Sequence, residues 1–293
     1  MDELIGPLIS VETLAECLRK TPHEVQIVDG SWRLSPDDPP ARSAFEKRRI
    51  PGAVFFDIDK VCDRTSPLPH MLPTQKIFNQ YTAEAGLSPD KDLIVYDDQG
   101  LFSAARVWWT FRAMGWPRVT VLDGGLPLWI NQGHVLERDE FKAVKTCSYS
   151  DHQLDHSNKA RVATADDVLA ATRDQDALII DARPAPRFLG EQQEPRPGLR
   201  SGAIPGALNI PFTMLIDKTA RLKSKDELFT IFNEKLDDDK RPLIATCGSG
   251  VTAAIVILAL EVLGRFDHAL YDGSFAEWGN VNSADRFPVT TAR

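Results

Sequence analysis

The chain carries one plan twice. LISVETLAECL, from Leu8 to Leu18, precedes the apolar run VQIVD that ends at Asp29; RVATADDVLAAT, from Arg161 to Thr172, precedes ALIID, which ends at Asp181. Ile50-Pro51-Gly52-Ala53 returns as Ile204-Pro205-Gly206-Ala207, and DLIVYD, ending at Asp97, as PLIATC, ending at Cys247. VLDGGLPLW returns as LYDGSFAEW, and Asp123 to Trp129 and Asp272 to Trp278 are both steps of six. Landmarks 150 residues apart, such as Asp97 and Cys247, are too far apart for a solenoid repeat and mark a duplicated domain. Each copy alternates short apolar runs with amphipathic stretches. This predicts an α/β protein of two tandem domains, each an open, mainly parallel sheet with helices on both faces. Residues 139–159 are polar, mixed in charge and without apolar period, so they read as a linker between domains 1–138 and 160–293.

Composition narrows the function classes. A formal net charge of −8 argues against nucleic acid as a partner. No run approaches the roughly twenty apolar residues a membrane-spanning helix needs. The start, MDELIGPLIS, is acidic and has neither the basic nor the apolar region of a secretory signal. Cys17, Cys62, Cys147 and Cys247 form no C-x-x-C pair and no zinc-like spacing. Free thiols in a reducing compartment, the cytoplasm, are expected.

The stretch with chemistry is PLIATCGSGVTAAIVILALEVLG, from Pro242 to Gly264. Leu243 to Thr246 reads as a buried parallel strand, Gly248-Ser249-Gly250 as a sharp turn, and the residues from Val251 as a helix apolar nearly all round, ending at Gly264. Cys247 then sits at a strand's C-terminal end, facing a helix N-terminus. It is either a small hydrophobe beside a core strand or a reactive thiol. The turn favours the thiol, because loop N–H groups and the helix dipole together stabilise thiolate. The first copy has Asp97 in this place. A carboxylate carries no transferable sulfur and is expected to be unfavourable in an anion cradle, so the first domain reads as catalytically inactive.

Cys247-Gly248-Ser249-Gly250-Val251-Thr252 resembles the active-site loop of the rhodanese-like sulfurtransferases, in the form typical of 3-mercaptopyruvate sulfurtransferases. Rhodaneses that favour thiosulfate usually carry an Arg-Lys pair after the cysteine. The resemblance covers about residues 8 to 285 and implies two tandem rhodanese-like domains. It also implies a Cys247 persulfide resting on the amides of Gly248, Ser249, Gly250, Val251 and Thr252. The family's substrate arginines match Arg187, in R-F-x-G, and Arg196, in E-P-R; two guanidiniums suit a small keto acid. Arg183 and Arg200 have no such match. Asp63 and His70 match family residues proposed, with Ser249, to assist proton transfer; as residues alone they are a turn aspartate and a loop histidine. The acceptor implied is a thiol, such as a thioredoxin-like protein, or cyanide, and neither metal nor organic cofactor is implied. Trp108, Trp109, Trp129 and Trp278 read as core. Three rivals stand beside this: a thiosulfate sulfurtransferase, a cysteine phosphatase, and a non-enzymatic sulfur-sensing or interaction module. The phosphatase loop needs a closing arginine where this chain has Ala253; the intact loop and both arginines argue against the module.

Overall fold

The computed structural model describes residues 6–35, 37–139 and 161–291, so the expected linker at 139–159 lies outside the described residues except for Asp139. The chain divides into two compact units. One holds the chain up to Arg64, the stretch from Leu72 through the rest of the first half, and Lys218–Leu222; the other holds Thr65–Met71, Arg161–Asp217 and everything from Lys223.

The first unit contains strands β1 (Leu8–Ile9), β2 (Val25–Asp29), β3 (Ala53–Phe55), β4 (Asp92–Tyr96) and β5 (Val119–Leu122), paired in parallel in the order β1-β5-β4-β2-β3. Its helices are α1 (Val11–Lys20), α2 (Ala41–Lys47), α3 (Gln75–Glu84), α4 (Ala104–Ala113) and α5 (Gly125–Asn131). Side chains alternate across a strand. Ile27, Ile94 and Tyr96 therefore join one core with Val11 and Leu14 of α1, Phe45 of α2 and Trp129 of α5. Leu93, Val95 and Val28 are buried on the opposite face, the side of α4, where Trp108 donates its indole N–H to the Val119 carbonyl at 3.0 Å.

The second unit repeats this order. Strands β6 (Val162–Ala163), β7 (Leu178–Asp181), β8 (Leu208–Asn209), β9 (Leu243–Thr246) and β10 (His268–Tyr271) pair in parallel as β6-β10-β9-β7-β8. They alternate with α6 (Ala165–Asp174), α7 (Ala185–Phe188), α8 (Lys225–Leu236), α9 (Ala253–Val262) and α10 (Ser274–Trp278).

The echoed motifs have the same physical jobs in both units. Ile-Pro-Gly-Ala is a tight turn each time: Ala53 N–H bonds the Ile50 carbonyl and Ala207 N–H that of Ile204, both at 3.1 Å. Gly52 and Gly206 supply the positive φ, 77° and 76°, that a turn with proline before it demands. The tryptophan six residues past each aspartate is buried and tied by its indole N–H to a downstream carbonyl, Trp129 to Val135 at 2.9 Å and Trp278 to Pro288 at 2.7 Å. All four expected core tryptophans are buried.

α9 begins two residues later than its apolar pattern suggests, because Val251 and Thr252 complete the turn out of β9. Nine of its ten residues, Ala253 to Glu261, are buried, as expected of a central helix. It stops at Gly264, φ 80°, with Gly264 N–H on the Glu261 carbonyl and Arg265 N–H on that of Leu260, the paired bonds of a glycine C-cap.

Candidate active site

Strand register fixes the position of the cysteine. Asp181 lies beside Thr246 as Asp29 lies beside Tyr96, so Cys247 and Asp97 are equivalent residues, each the first past its strand. Three residues on, Gly250 and Gly100 both take positive φ. Cys247 is buried, and its carbonyl and that of Gly248 accept the N–H groups of Phe275 (3.0 Å) and Ala276 (2.9 Å), which pins the loop to α10.

The first copy shows what such a loop binds, and it overturns the expectation for Asp97. Its buried carboxylate accepts the amides of Gln99 (2.9 Å), Phe102 (2.7 Å), Ser103 (2.9 Å) and Ala104 (2.8 Å). A carboxylate is an anion, as a thiolate is, so converging N–H dipoles favour both. Burial pushes the Asp97 pKa up while those amide bonds pull against it. The first cradle is filled by its own side chain. In the second copy the residues equivalent to Gln99, Phe102 and Ser103 are Ser249, Thr252 and Ala253; the fourth, Ala254, turns its N–H to the Val251 carbonyl at 3.3 Å.

Arg187 stands directly against this loop. It lies on α7, one turn of helix just past β7, and a Cβ added to Gly248 would come within 2.9 Å of its Nη2. Its fork is set by Glu194: Nε donates to Oε1 at 3.0 Å and Nη2 to Oε2 at 2.5 Å. Glu194 Oε1 also accepts Arg183 Nη1 at 2.8 Å, and Arg183 in turn grips Asp181 through Nε and Nη2 at 2.9 and 2.6 Å to Oδ2. The Arg183 guanidinium packs over the Phe275 ring at 3.6 Å. Further along the same loop, Arg196 Nη2 meets His70 Nε2 at 3.2 Å, with His70 buried and held at φ 61°.

The model of the rhodanese-like domain matches residues 11–132 and 164–280. The chain belongs to the rhodanese-like family. It is 42% identical over 280 residues to the 3-mercaptopyruvate sulfurtransferase of Mus musculus, covering 94% of this chain and 93% of that one. It is 38% identical over 287 residues to the thiosulfate sulfurtransferase of Rattus norvegicus, covering 94% and 92%. The crystal structure of SseA from Escherichia coli, a 3-mercaptopyruvate sulfotransferase of the rhodanese fold, superposes with a TM-score of 0.78 at 40% identity, covering 92% of this chain and 98% of that one.

Within the second rhodanese-like unit the structure brings together Cys247, Gly248 and Arg187, and separately Arg196 with His70. Thr65–Met71 belongs to that unit, whereas Asp63, half-buried, belongs to the first, so two nearby residues of one irregular stretch are divided between the units. Burial pushes the thiols of Cys17 and Cys62 up, away from the thiolate that attack requires, and Cys62 donates to the Asp59 carbonyl at 3.2 Å. Cys147 lies outside the described residues.

Sequence reading missed the supports. Arg183 and Arg200, set aside for want of a family match, hold the stretch that carries Arg187 and Arg196. Arg200 donates to the Trp278 and Phe287 carbonyls at 2.7 and 2.8 Å, tying the loop's end to the C-terminal segment. Glu194 was visible as an acid two residues before Arg196, and Asp181-x-Arg183 as a pairing spacing, but neither spacing names a partner.

Proposed function

We propose that the chain is a sulfurtransferase that moves sulfur from 3-mercaptopyruvate through Cys247 and releases pyruvate. The observation that carries this is the pair of equivalent loops. The first holds its own carboxylate on converging amides; the second puts a thiol in the same place and a guanidinium beside it. The family and the mercaptopyruvate-using relatives support the donor.

Arg187 and Arg196 hold the keto acid. The Cys247 thiolate attacks the donor sulfur and forms an S–S bond as the C–S bond breaks. The electron pair leaves on pyruvate enolate, which takes up a proton. The persulfide rests on the amides of the Gly248–Thr252 turn, worth most in a site that excludes water. Ser249 and His70 are assigned to proton movement. A reduced dithiol of a thioredoxin-like protein, a small thiol or cyanide removes the outer sulfur. The described cysteines are free thiols, which supports a reducing, cytoplasmic setting. Among the described residues no helix is long and apolar enough to cross a membrane.

Thiosulfate is the second donor to weigh, since a thiosulfate-using relative aligns along most of the chain. Charge disfavours it as the main one. Positions 248 and 249 are glycine and serine, so the turn itself adds no cation for a doubly charged donor to the one that Arg187 brings against Gly248. Turnover of both donors with cyanide as common acceptor decides between them; faster use of thiosulfate reverses the assignment.

Arg187→Lys and Arg196→Lys each test the substrate site. Lysine keeps the charge and loses the planar fork, at about 1.5–3 kcal/mol, or roughly ten- to more than a hundredfold in kcat/KM for 3-mercaptopyruvate. Wild-type efficiency in both variants would put the keto-acid site elsewhere.

A further inference from the structure

We propose that Glu194 is a specificity-determining residue that sets how much negative charge the donor carries. This rests on the sulfurtransferase reading and names what the same site selects. Asp181, Arg183, Glu194 and Arg187 form one chain of ion pairs, two acids and two bases in alternation. The first three side chains are at most 1% exposed and Arg187 is 12% exposed, so water does little to screen them. Arg187 is the end of the chain that reaches the cysteine loop.

Two consequences follow for a donor beside Arg187. Glu194 occupies Nε and one side of Nη2, so the guanidinium meets the donor through its remaining edge. Glu194 also offsets the charge of Arg187 from the opposite side. The positive potential facing Cys247 is then lower than a bare guanidinium would give. A singly charged keto acid loses less from that reduction than a doubly charged donor, because the interaction scales with donor charge. The buried acid thus works against thiosulfate while it orients the arginine that binds 3-mercaptopyruvate.

Charge and geometry are separable by substitution. Glu194→Gln removes the charge and keeps the length, Glu194→Asp keeps the charge and shortens the reach, and Arg183→Gln leaves the acids in excess. The experiment measures kcat/KM for thiosulfate and for 3-mercaptopyruvate, with cyanide as acceptor, on the full chain, and thermal unfolding shows which variants are folded. Glu194→Gln is expected to raise the thiosulfate-to-mercaptopyruvate ratio by about tenfold or more, and Arg183→Gln to lower it. Glu194→Asp should reduce both efficiencies by similar factors and leave the ratio near wild type. A merely structural Glu194 would give equal losses on both donors in all three variants, and that result overturns the proposal. If Glu194→Gln does not fold, Arg183→Gln decides: a ratio that stays or rises overturns it. Wild-type protein that turns over neither donor sinks the sulfurtransferase reading itself; an active wild type with an unmoved ratio sinks only the role of Glu194.

Discussion

Cys247→Ser is expected to abolish sulfur transfer and, with it, the persulfide mass shift seen after incubation with donor. The fold should survive, because serine is close in volume and the loop is held by main-chain bonds to α10 and by the packing of α9, not by the sulfur. The loss should be complete rather than graded. A hydroxyl in the same cradle cannot form the S–S bond, and no other described thiol is placed to substitute: Cys17 and Cys62 are both shifted away from thiolate by burial. Intact-mass measurement and cyanide-dependent turnover on the same preparation check this. An active variant carrying its sulfur on Cys62 or Cys147 would falsify the choice of nucleophile.

How much of this was legible before the structure depends on the kind of interaction. The duplicated sheet could be read because periodicity and turn chemistry are local: Pro51-Gly52 and Pro205-Gly206 demand the same turn wherever they stand. The strand–turn–helix around Cys247 was legible for the same reason. The misjudged residue was Asp97, whose pattern was seen but whose chemistry was argued with the wrong sign; amide dipoles that favour thiolate also favour carboxylate. Glu194 and Arg183 were not legible as a unit. They are eleven residues apart, across α7 and the irregular stretch after it, and only the fold decides that one acid bridges Arg183 and Arg187. The His70–Arg196 contact spans 126 residues and has no sequence signature.

The second large effect concerns the acid at the end of the second strand of each copy. Asp181 has the Arg183 guanidinium against it, but at the equivalent place in the first copy the chain has Ser31, and Asp29 is left with hydrogen bonds alone. Asp29 is 1% exposed, its Oδ1 accepts Ser31 N–H at 2.9 Å, and burial pushes its pKa up from 3.8 to about 7. A raised carboxyl pKa makes the folded state hold a proton that the unfolded state has released. Below about pH 3.8 both states are protonated and nothing is lost; between 3.8 and about 7 stability falls as pH rises; above that the full cost remains. The cost corresponds to at most roughly 4 kcal/mol. Asp29→Asn keeps an acceptor for Ser31 and removes the titration. It should therefore stabilise the first unit at pH 8 by up to that amount relative to wild type, with the advantage fading as pH falls toward 4. Urea unfolding followed by tryptophan emission is suited to this, because Trp32, Trp108, Trp109, Trp116 and Trp129 all lie in the first unit and Trp278 alone in the second. If the difference between variant and wild type is the same at both pH values, Asp29 does not titrate in this range. A variant that loses stability most at pH 8 would instead show that Asp29 is held as a stabilised anion.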